Sequence, residues 1–242
     1  MYQIFLKEIN NFLNSLIAYV VIGVFLTSIG LLMWVFPESS ILEYGYADMD
    51  TLFTMGPYVF MFLIPAITMR MLAEEKRSGT AELLFTKPLS TFDIIGGKYF
   101  AGFFLVVFSL IPTLLYYVSV YYLGNPIGNL DTPGIIGSYI GLALLGGVFV
   151  SIGIFASSIT ENQVVSFIVA VFLSFILYSG FSSLAAINVW GDFSYFLEQF
   201  SIIYHYGSLS KGLIDSRDII YFISVIVVML LFTNLIINAR KW

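Results

Sequence analysis

Six long apolar segments, separated by polar connections, make up most of the chain. Each is long enough to cross a bilayer, because about 20 apolar residues in an α-helix span the hydrocarbon core. In lipid, only helices and closed barrels pair all their backbone polar groups, so each segment is predicted to be helical. The pattern therefore predicts an all-α integral membrane protein. Its predicted spans are residues 16–36, 52–69, 99–123, 135–159, 164–187 and 219–237.

The first 14 residues follow a different pattern, in which apolar and polar positions alternate with the period of a helix. Phe5, Ile9 and Phe12 fall on one side, and most polar residues fall on the other. This pattern is typical of a helix that lies along the membrane surface. Residues 1–14 are therefore predicted to form an interfacial helix, and residues 1–242 a single transmembrane domain.

Small residues recur at intervals of one helical turn in the fourth and fifth predicted spans. Such spacing lets neighbouring backbones approach closely, and this role is favoured over a place in a substrate path. Between these spans, Thr160 and Gln163 have the spacing of a capping box, with Thr160 as the predicted N-cap of the fifth span. The residues predicted to pack helices together are Gly137, Gly141, Gly153, Ser157, Ser166, Ala170 and Ser174.

The densest run of mixed charge lies between the second and third predicted spans, from Arg70 to Ser90. A segment this polar cannot lie in lipid, so it is predicted to be an aqueous connection. It could be a solvated turn that only sets the topology. Its length and its predicted interior helix favour a segment that docks into the groove of a partner.

Two short helices are predicted within this charged connection. Residues 70–77 form the first, and Gly79 breaks it. Thr80 is the predicted N-cap of the second, and Glu82 lies in its first turn, where a negative charge interacts favourably with the helix dipole. Pro88 ends this second helix, because the residue before a proline avoids the α conformation. The connection is thus predicted to hold a short amphipathic helix behind a hinge.

The basic residues predict the orientation of the spans. With both termini in the cytoplasm, eight of the ten basic residues lie inside, as the positive-inside rule requires. The charged connection then faces the cytoplasm. The residues predicted to lie inside are Lys7, Arg70, Lys76, Arg77, Lys87, Lys98, Arg240 and Lys241, and those outside are Lys211 and Arg217.

Composition narrows the possible functions. The chain is 59% hydrophobic and 10% charged, whereas soluble domains are about 25% charged. Its net charge of −5 argues against nucleic-acid binding, which needs a basic face. With one histidine, no cysteine and no P-loop sequence, no metal, cofactor or catalytic site is predicted. The predicted spans contain no ionisable residue, which disfavours an ion-coupled transporter. The chain is therefore predicted to be no enzyme and to depend on an external source of energy.

The sequence of the charged connection resembles that of a known protein family. Glu74–Ser90, followed by Gly97–Phe100, resembles the loop after the second span of ABC-2-type transporter permeases. Further segments are similar to the permease subunit of the gliding-motility-associated ABC transporter of Bacteroidetes-type bacteria. These segments are Trp34–Phe36, Pro65–Arg70, Ser151–Gln163 and Tyr204–Phe222. The resemblance covers nearly the whole chain, although none of its motifs identifies a substrate.

The resemblance implies a set of partners and a place in the cell. In such permeases, a coupling helix in this loop docks onto a separate ABC ATPase subunit, which binds ATP and Mg²⁺. A dimer of that ATPase, a second permease chain that is identical or paralogous, and an additional gliding-related membrane subunit are the implied partners. The implied location is the bacterial inner membrane. The residues of this sequence that match the coupling helix are Gly79, Thr80, Glu82, Leu83, Leu84 and Thr86.

Residues 188–218, between the fifth and sixth predicted spans, are rich in aromatic side chains, which suit the lipid–water interface. Related permeases have re-entrant helices before the last span, so the resemblance implies that this connection folds back against the outer face of the membrane. Phe200, Tyr204 and His205 are predicted to pack inward as an external gate or cap. For His205, packing is favoured over a role as a ligand.

Three functions remain open at this point. The favoured one is the permease subunit of an ATP-driven transporter, related to export or to gliding and secretion. The alternative is a scaffold or mechanical-coupling subunit of a surface or gliding complex, through which no substrate passes. An autonomous channel is disfavoured, because no span repeats a polar stripe that could line a pore.

Overall fold

The computed structural model describes residues 1–81, 89–187 and 193–239, without the side chains of Tyr44 and Phe193. The regular elements in these ranges are helices. They are α1 (Tyr2–Leu13), α2 (Leu16–Trp34), α3 (Ile41–Tyr44), α4 (Asp50–Thr68), α5 (Ala73–Arg77), α6 (Thr91–Leu110), α7 (Leu114–Leu123), α8 (Thr132–Ile159), α9 (Gln163–Phe175), α10 (Phe181–Ala185), α11 (Phe193–Gln199), α12 (Ile202–Leu209) and α13 (Ser216–Ala239).

Six segments of the described chain are long and apolar enough to cross a membrane, so the prediction of six helical spans is confirmed. A 3₁₀ turn at Ile111–Thr113 joins α6 to α7 in the third span, and a π turn at Ile176–Gly180 joins α9 to α10 in the fifth. The remaining spans are formed by α2, α4, α8 and α13. The N-terminal helix α1 precedes them, as its periodicity predicts.

Five spans begin earlier than predicted, and in the third and the sixth the added residues include a buried charge. The third starts at Thr91, where the Ser90 hydroxyl accepts a hydrogen bond from the backbone N–H of Asp93 at 3.1 Å and caps the helix. The sixth starts at Ser216. These helices include Lys98 and Asp218, both of which are buried. The expectation that the spans contain no ionisable residue is therefore wrong, because carboxylate, imidazole and hydroxyl partners from other segments compensate these charges.

The fourth span, α8, is the centre of the bundle. Within its most apolar window 78% of the residues are buried, against 11% for α13. Close packing around α8 depends on its glycines: a Cβ atom at Gly153 would overlap the hydroxyl of Thr68 on α4. The core side chains are therefore gathered around one helix, while most of the exposed apolar residues lie on the outer faces of the other spans.

The predicted capping box between the fourth and fifth spans is wrong. The N-cap of α9 is Asn162, whose side-chain oxygen accepts from the N–H groups of Val164 at 2.9 Å and Val165 at 3.4 Å. Thr160 instead ends α8 in an extended conformation, and its hydroxyl accepts from the N–H of Asn162 at 3.1 Å. Asn162 immediately precedes the helix, so it reaches the free N–H groups that Thr160 cannot.

Candidate functional site

The charged connection begins at the end of the bundle where α5, the start of α6 and the end of α8 meet, which we call the charged end. The predicted helix over residues 70–77 is shorter in the structure, since Arg70–Leu72 form a turn before α5. Gly79 has a φ of +69°, which confirms the predicted break, because such angles favour glycine. Helical conformation resumes at Thr80 and Ala81.

The turn before α5 is not helical because α8 captures its backbone groups. The Ser157 hydroxyl accepts hydrogen bonds from the N–H groups of Leu72 and Ala73, both at 2.9 Å, and donates to the carbonyl of Met69 at 3.2 Å. Lys76 of α5 donates to the carbonyl of Ser158. The end of α8 therefore holds both the turn and α5 in place.

Lys98 of α6 is the most deeply buried charge at this end. Its side chain is 0% exposed, and its ammonium donates to Glu8 Oε1 at 2.8 Å and to the carbonyl of Met71 at 2.6 Å. It also lies 2.9 Å from Glu75 Oε1. An ammonium group has three N–H donors, so these three acceptors can satisfy all of them. One residue thus contacts α1, the turn and α5 together.

Lys7 completes a cluster whose formal charges sum to zero, the four-charge cluster Lys7, Glu8, Glu75 and Lys98. The Lys7 ammonium donates to Glu75 Oε1 at 2.8 Å and lies 3.8 Å from Glu8 Oε1. Partial burial by itself lowers the pKa of Lys7, but its hydrogen bond to Glu75 and the two negative charges outweigh burial, so the pKa is raised. The two lysines and the two glutamates neutralise each other, which offsets the cost of burying these charges.

A cavity of about 530 Å³ opens beside the cluster. Arg70, Ser78 and Thr80 contribute to its lining together with Lys7 and Glu75. The Thr80 hydroxyl lies 2.8 Å from that of Ser78 and donates to the carbonyl of Glu75 at 3.3 Å. The chain therefore leaves the cluster directly toward the predicted coupling helix.

The predicted ATPase-coupling residues fall partly in this region. Gly79 and Thr80 lie immediately after α5, and Thr80 is itself helical rather than preceding the helix. The other four, Glu82, Leu83, Leu84 and Thr86, lie outside the described residues.

The predicted helix-packing residues lie at contacts between elements. Gly137 and Gly141 face Gly212 and Leu209, and Gly153 faces Thr68. Ser157 makes the contacts to the turn described above. The remaining three, on the buried face of α9, are Ser166, Ala170 and Ser174.

The opposite end of the bundle carries α11 and α12, the short helices predicted in the connection before the last span. The Tyr206 hydroxyl of α12 donates to the carbonyl of Phe53 at 2.7 Å. That carbonyl lacks its usual helical donor, because Pro57, four residues on, has no N–H. The Ser201 hydroxyl also donates to the carbonyl of Tyr178 at 2.9 Å. These contacts lie inside the ends of the spans, so the connection is folded against the bundle.

The expectation that Phe200 and Tyr204 pack inward is wrong. Their exposed fractions are 49% and 41%. The buried face of α12 is instead formed by Ile202, Tyr206 and Leu209, which repeat with helical spacing. Tyr204 lies about half a turn away from that face, and Phe200 precedes the helix.

His205 lies between the two faces, with 14% of its side chain exposed. Nδ1 is 2.7 Å from Asp218 Oδ1, and Nε2 is 2.9 Å from the carbonyl of Gln199. Its ring stacks on Tyr221 with centroids 3.9 Å apart. The hydroxyl of Ser208 donates to the other oxygen of Asp218. The Ser208 hydroxyl also donates to the backbone carbonyl of His205 at 3.1 Å. Since its hydrogen bonds go to this carbonyl and to the aspartate, and none to the imidazole, the group is not a nucleophilic triad and instead joins helices.

Sequence reasoning did not single out Glu8, Lys98 or Asp218 as site residues. For Glu8 and for Asp218, one feature of the sequence could have indicated a functional position. Glu8 is a lone acidic residue in an amphipathic helix, and Asp218 is a carboxylate at the start of a span that follows the only histidine. For Lys98 the local sequence predicts a solvent-exposed side chain. The residues that bury and neutralise it lie far away along the chain, so no local pattern reveals them.

The six apolar helices and the absence of strands in the described ranges define a multi-pass helical membrane protein. Residues 2–237 match the family of ABC-2 family transporter proteins, so the chain belongs to that family. It is therefore a membrane permease subunit of an ABC transporter, whose ATPase is a separate subunit. No curated protein is significantly similar to the chain.

Proposed function

We propose that this permease receives ATP-driven movement from an ABC ATPase dimer through the segment Gly79–Thr86. The observation that carries the proposal is the fixation of α5. Its residues Lys76 and Glu75 are held by the end of α8 and by Lys98 of α6. A force applied just beyond α5 is therefore passed to the second span, which precedes α5 in the chain, and through these contacts to the third and fourth spans.

The charged end faces the cytoplasm in this proposal, with both chain termini on that side. Eight of the ten basic residues then lie inside, as the positive-inside rule favours. The geometry supports the same arrangement: Thr91 Oγ1 donates to Asn238 Oδ1 at 3.0 Å, so the end of α13 lies beside the start of α6. The N-terminal helix lies at this end as well, through Glu8 and Lys98.

The orientation can be tested by cysteine labelling, since the chain contains no cysteine. Ser78→Cys and Ser210→Cys lie at the two ends of the bundle. In intact cells we expect an impermeant maleimide to label only Ser210→Cys, and to label Ser78→Cys after the membrane is opened. Labelling of Ser78→Cys alone in intact cells would reverse the orientation.

The full assembly in this proposal contains ATP and Mg²⁺ in the ATPase subunits and a second permease chain, identical or paralogous. The bacterial inner membrane is the proposed location, and export or a gliding-related process the proposed role. The gliding-related role rests on the resemblance of segments such as Ser151–Gln163 and Tyr204–Phe222 to gliding-associated permeases. At the opposite end, α11 and α12 would cap the outer mouth of the pathway through the His205 contacts, with Phe200 and Tyr204 toward lipid.

Replacement of Leu83 and Leu84 by Asp tests the docking segment. Each leucine buried at such a contact contributes about 1.5–3 kcal/mol, so we expect ATPase affinity to fall by about two to four orders of magnitude. The measurement is ATPase stoichiometry after purification, with ATP hydrolysis measured in parallel. A matched control places the same charges at exposed Leu213 and Ile214 and should keep the ATPase bound.

If the Leu83→Asp, Leu84→Asp variant retained its ATPase at normal stoichiometry and coupling, the docking proposal would be wrong. Retained docking and hydrolysis without any transported substrate would instead favour the scaffold function.

A further inference from the structure

We infer that Lys98 is a positioning residue that makes α1 part of the moving unit, so that ATP-driven movement also reaches the first span. This inference rests on the proposed function, in which the segment after α5 binds the ATPase. It extends that function from the second, third and fourth spans to the first, α2, which follows α1 after only two residues.

The geometry of Lys98 carries the inference. Its ammonium contacts Glu8 on α1, the carbonyl of Met71 in the turn, and Glu75 on α5, at 2.8, 2.6 and 2.9 Å. These three partners belong to separate elements, and their number equals the number of N–H donors of an ammonium group. Lys98 therefore has an acceptor for each donor only while the three elements stay together.

Burial turns these contacts into a positional constraint. Lys98 is 0% exposed, and the side chains of Glu8 and Glu75 are 8% and 14% exposed. If α1 moved away from α5, the Lys98–Glu8 and Lys7–Glu75 hydrogen bonds would both break and the buried Lys98 would lose one of its two carboxylates, which is a costly state. A slide along a hydrocarbon surface would carry no comparable penalty. Therefore α1, α5 and the start of α6 move as one body.

Apolar packing supports the same unit. A Cβ atom at Gly97, next to Lys98, would lie 2.9 Å from the Ile4 side chain, so α1 rests directly on the α6 backbone. Beyond α5 the constraint weakens: Gly79 has a left-handed conformation and no atom within 4 Å of its missing Cβ, and Thr80 is joined to α5 through its hydroxyl. The boundary between the rigid body and the docking segment is thus at Gly79.

Glu8→Ala is the variant that separates α1 from Lys98. It removes the hydrogen bond of Lys98 to α1, while Glu75 and the Met71 carbonyl still hold the ammonium and Lys7 still binds Glu75. The test uses the purified complex of the full chain with its ATPase in lipid nanodiscs. Spin labels at Asn11→Cys on α1 and at Leu213→Cys at the opposite end report the position of α1 with and without ATP.

With Glu8 present, we expect ATP to shift the distance between the two labels. In Glu8→Ala, we expect a clearly smaller shift, because only the Lys98 contact of α1 is lost and Lys7 still binds Glu75. We also expect a fall of about tenfold in permease-stimulated ATP hydrolysis, with unchanged affinity for the ATPase. Glu8→Gln keeps a hydrogen-bond acceptor and should restore part of both. Lys211→Met, an exposed lysine at the opposite end, should leave both unchanged.

A second variant keeps the test decisive if Glu8→Ala does not fold. Lys98→Met with Glu8→Gln and Glu75→Gln removes the buried charges together and leaves none of these three sites charged. It should show the same reduction of the shift. A normal shift and normal hydrolysis in either variant would overturn the inference, as would an α1 that stays fixed in the native complex. Failure of the native chain to bind the ATPase would overturn the proposed function itself.

Discussion

The two ends of the bundle are held together by different chemistry. At the charged end, Lys98 and Glu75 belong to a buried cluster of full charges. At the opposite end, only His205 and Ser208 among the described residues hold the buried Asp218. Most other side-chain hydrogen bonds there run from neutral hydroxyls to backbone carbonyls, as from Tyr206 and Ser201. A buried charge depends on all of its partners at once, whereas each neutral hydrogen bond contributes separately. The charged end is therefore suited to transmit force. At the opposite end the contacts can break one at a time, so the short helices there can separate from the spans in steps.

Lys98→Met is expected to have the largest effect on stability. It leaves the carboxylates of Glu8 and Glu75 beside each other without their buried cation, so that the half-exposed Lys7 has to neutralise both. Loss of one partner from a buried ion pair costs about 3–5 kcal/mol. The measurement is the free energy of unfolding in detergent micelles. Neutralising the carboxylates as well, with Glu8→Gln and Glu75→Gln, should recover most of the loss. Equal stability of Lys98→Met and the native protein would show that the cluster is not tightly coupled.

The sequence was sufficient for the spans and insufficient for this cluster. Hydropathy identifies a span because lipid acts on every residue of the segment. The turn at Gly79 is predicted by the residue itself, because glycine readily adopts left-handed backbone angles. Lys98 gives the opposite local signal: a lysine after a polar loop suggests solvent. Its burial depends on Glu8 and Glu75, which lie in other helices, and no local pattern contains that pairing.

The aromatic residues before the last span show a second limit. A ring suits both a protein core and the membrane interface, so aromatic density alone does not indicate which face is buried. The rotation of α12 about its axis determines the buried face, which is formed by Ile202, Tyr206 and Leu209. This is why the inward placement was wrong for Phe200 and Tyr204.

His205→Phe should have an intermediate effect. The phenyl ring can keep the stack on Tyr221, but both nitrogen contacts are lost, including the 2.7 Å contact with Asp218. Hydrogen bonds to charged groups contribute about 1.5–3 kcal/mol. We expect faster hydrogen exchange in α11 and α12, with little change in α5. Tyr204→Phe, on the exposed side of the same helix, should change stability by less than about 0.5 kcal/mol. If His205→Phe also loosened α5, the two ends would not be separable.

Tyr206→Phe should have the smallest effect of the three, about 1 kcal/mol, because it removes a single neutral hydrogen bond. The bond matters because Pro57 leaves the carbonyl of Phe53 without its helical donor, and the Tyr206 hydroxyl supplies one at 2.7 Å. Pro57→Ala would restore an N–H at that position. In the Pro57→Ala background the cost of Tyr206→Phe should therefore shrink toward zero. A double-mutant cycle on unfolding free energies measures this coupling. Full additivity would mean that the hydroxyl does not compensate for the proline, and that α12 is held at this point by apolar packing alone.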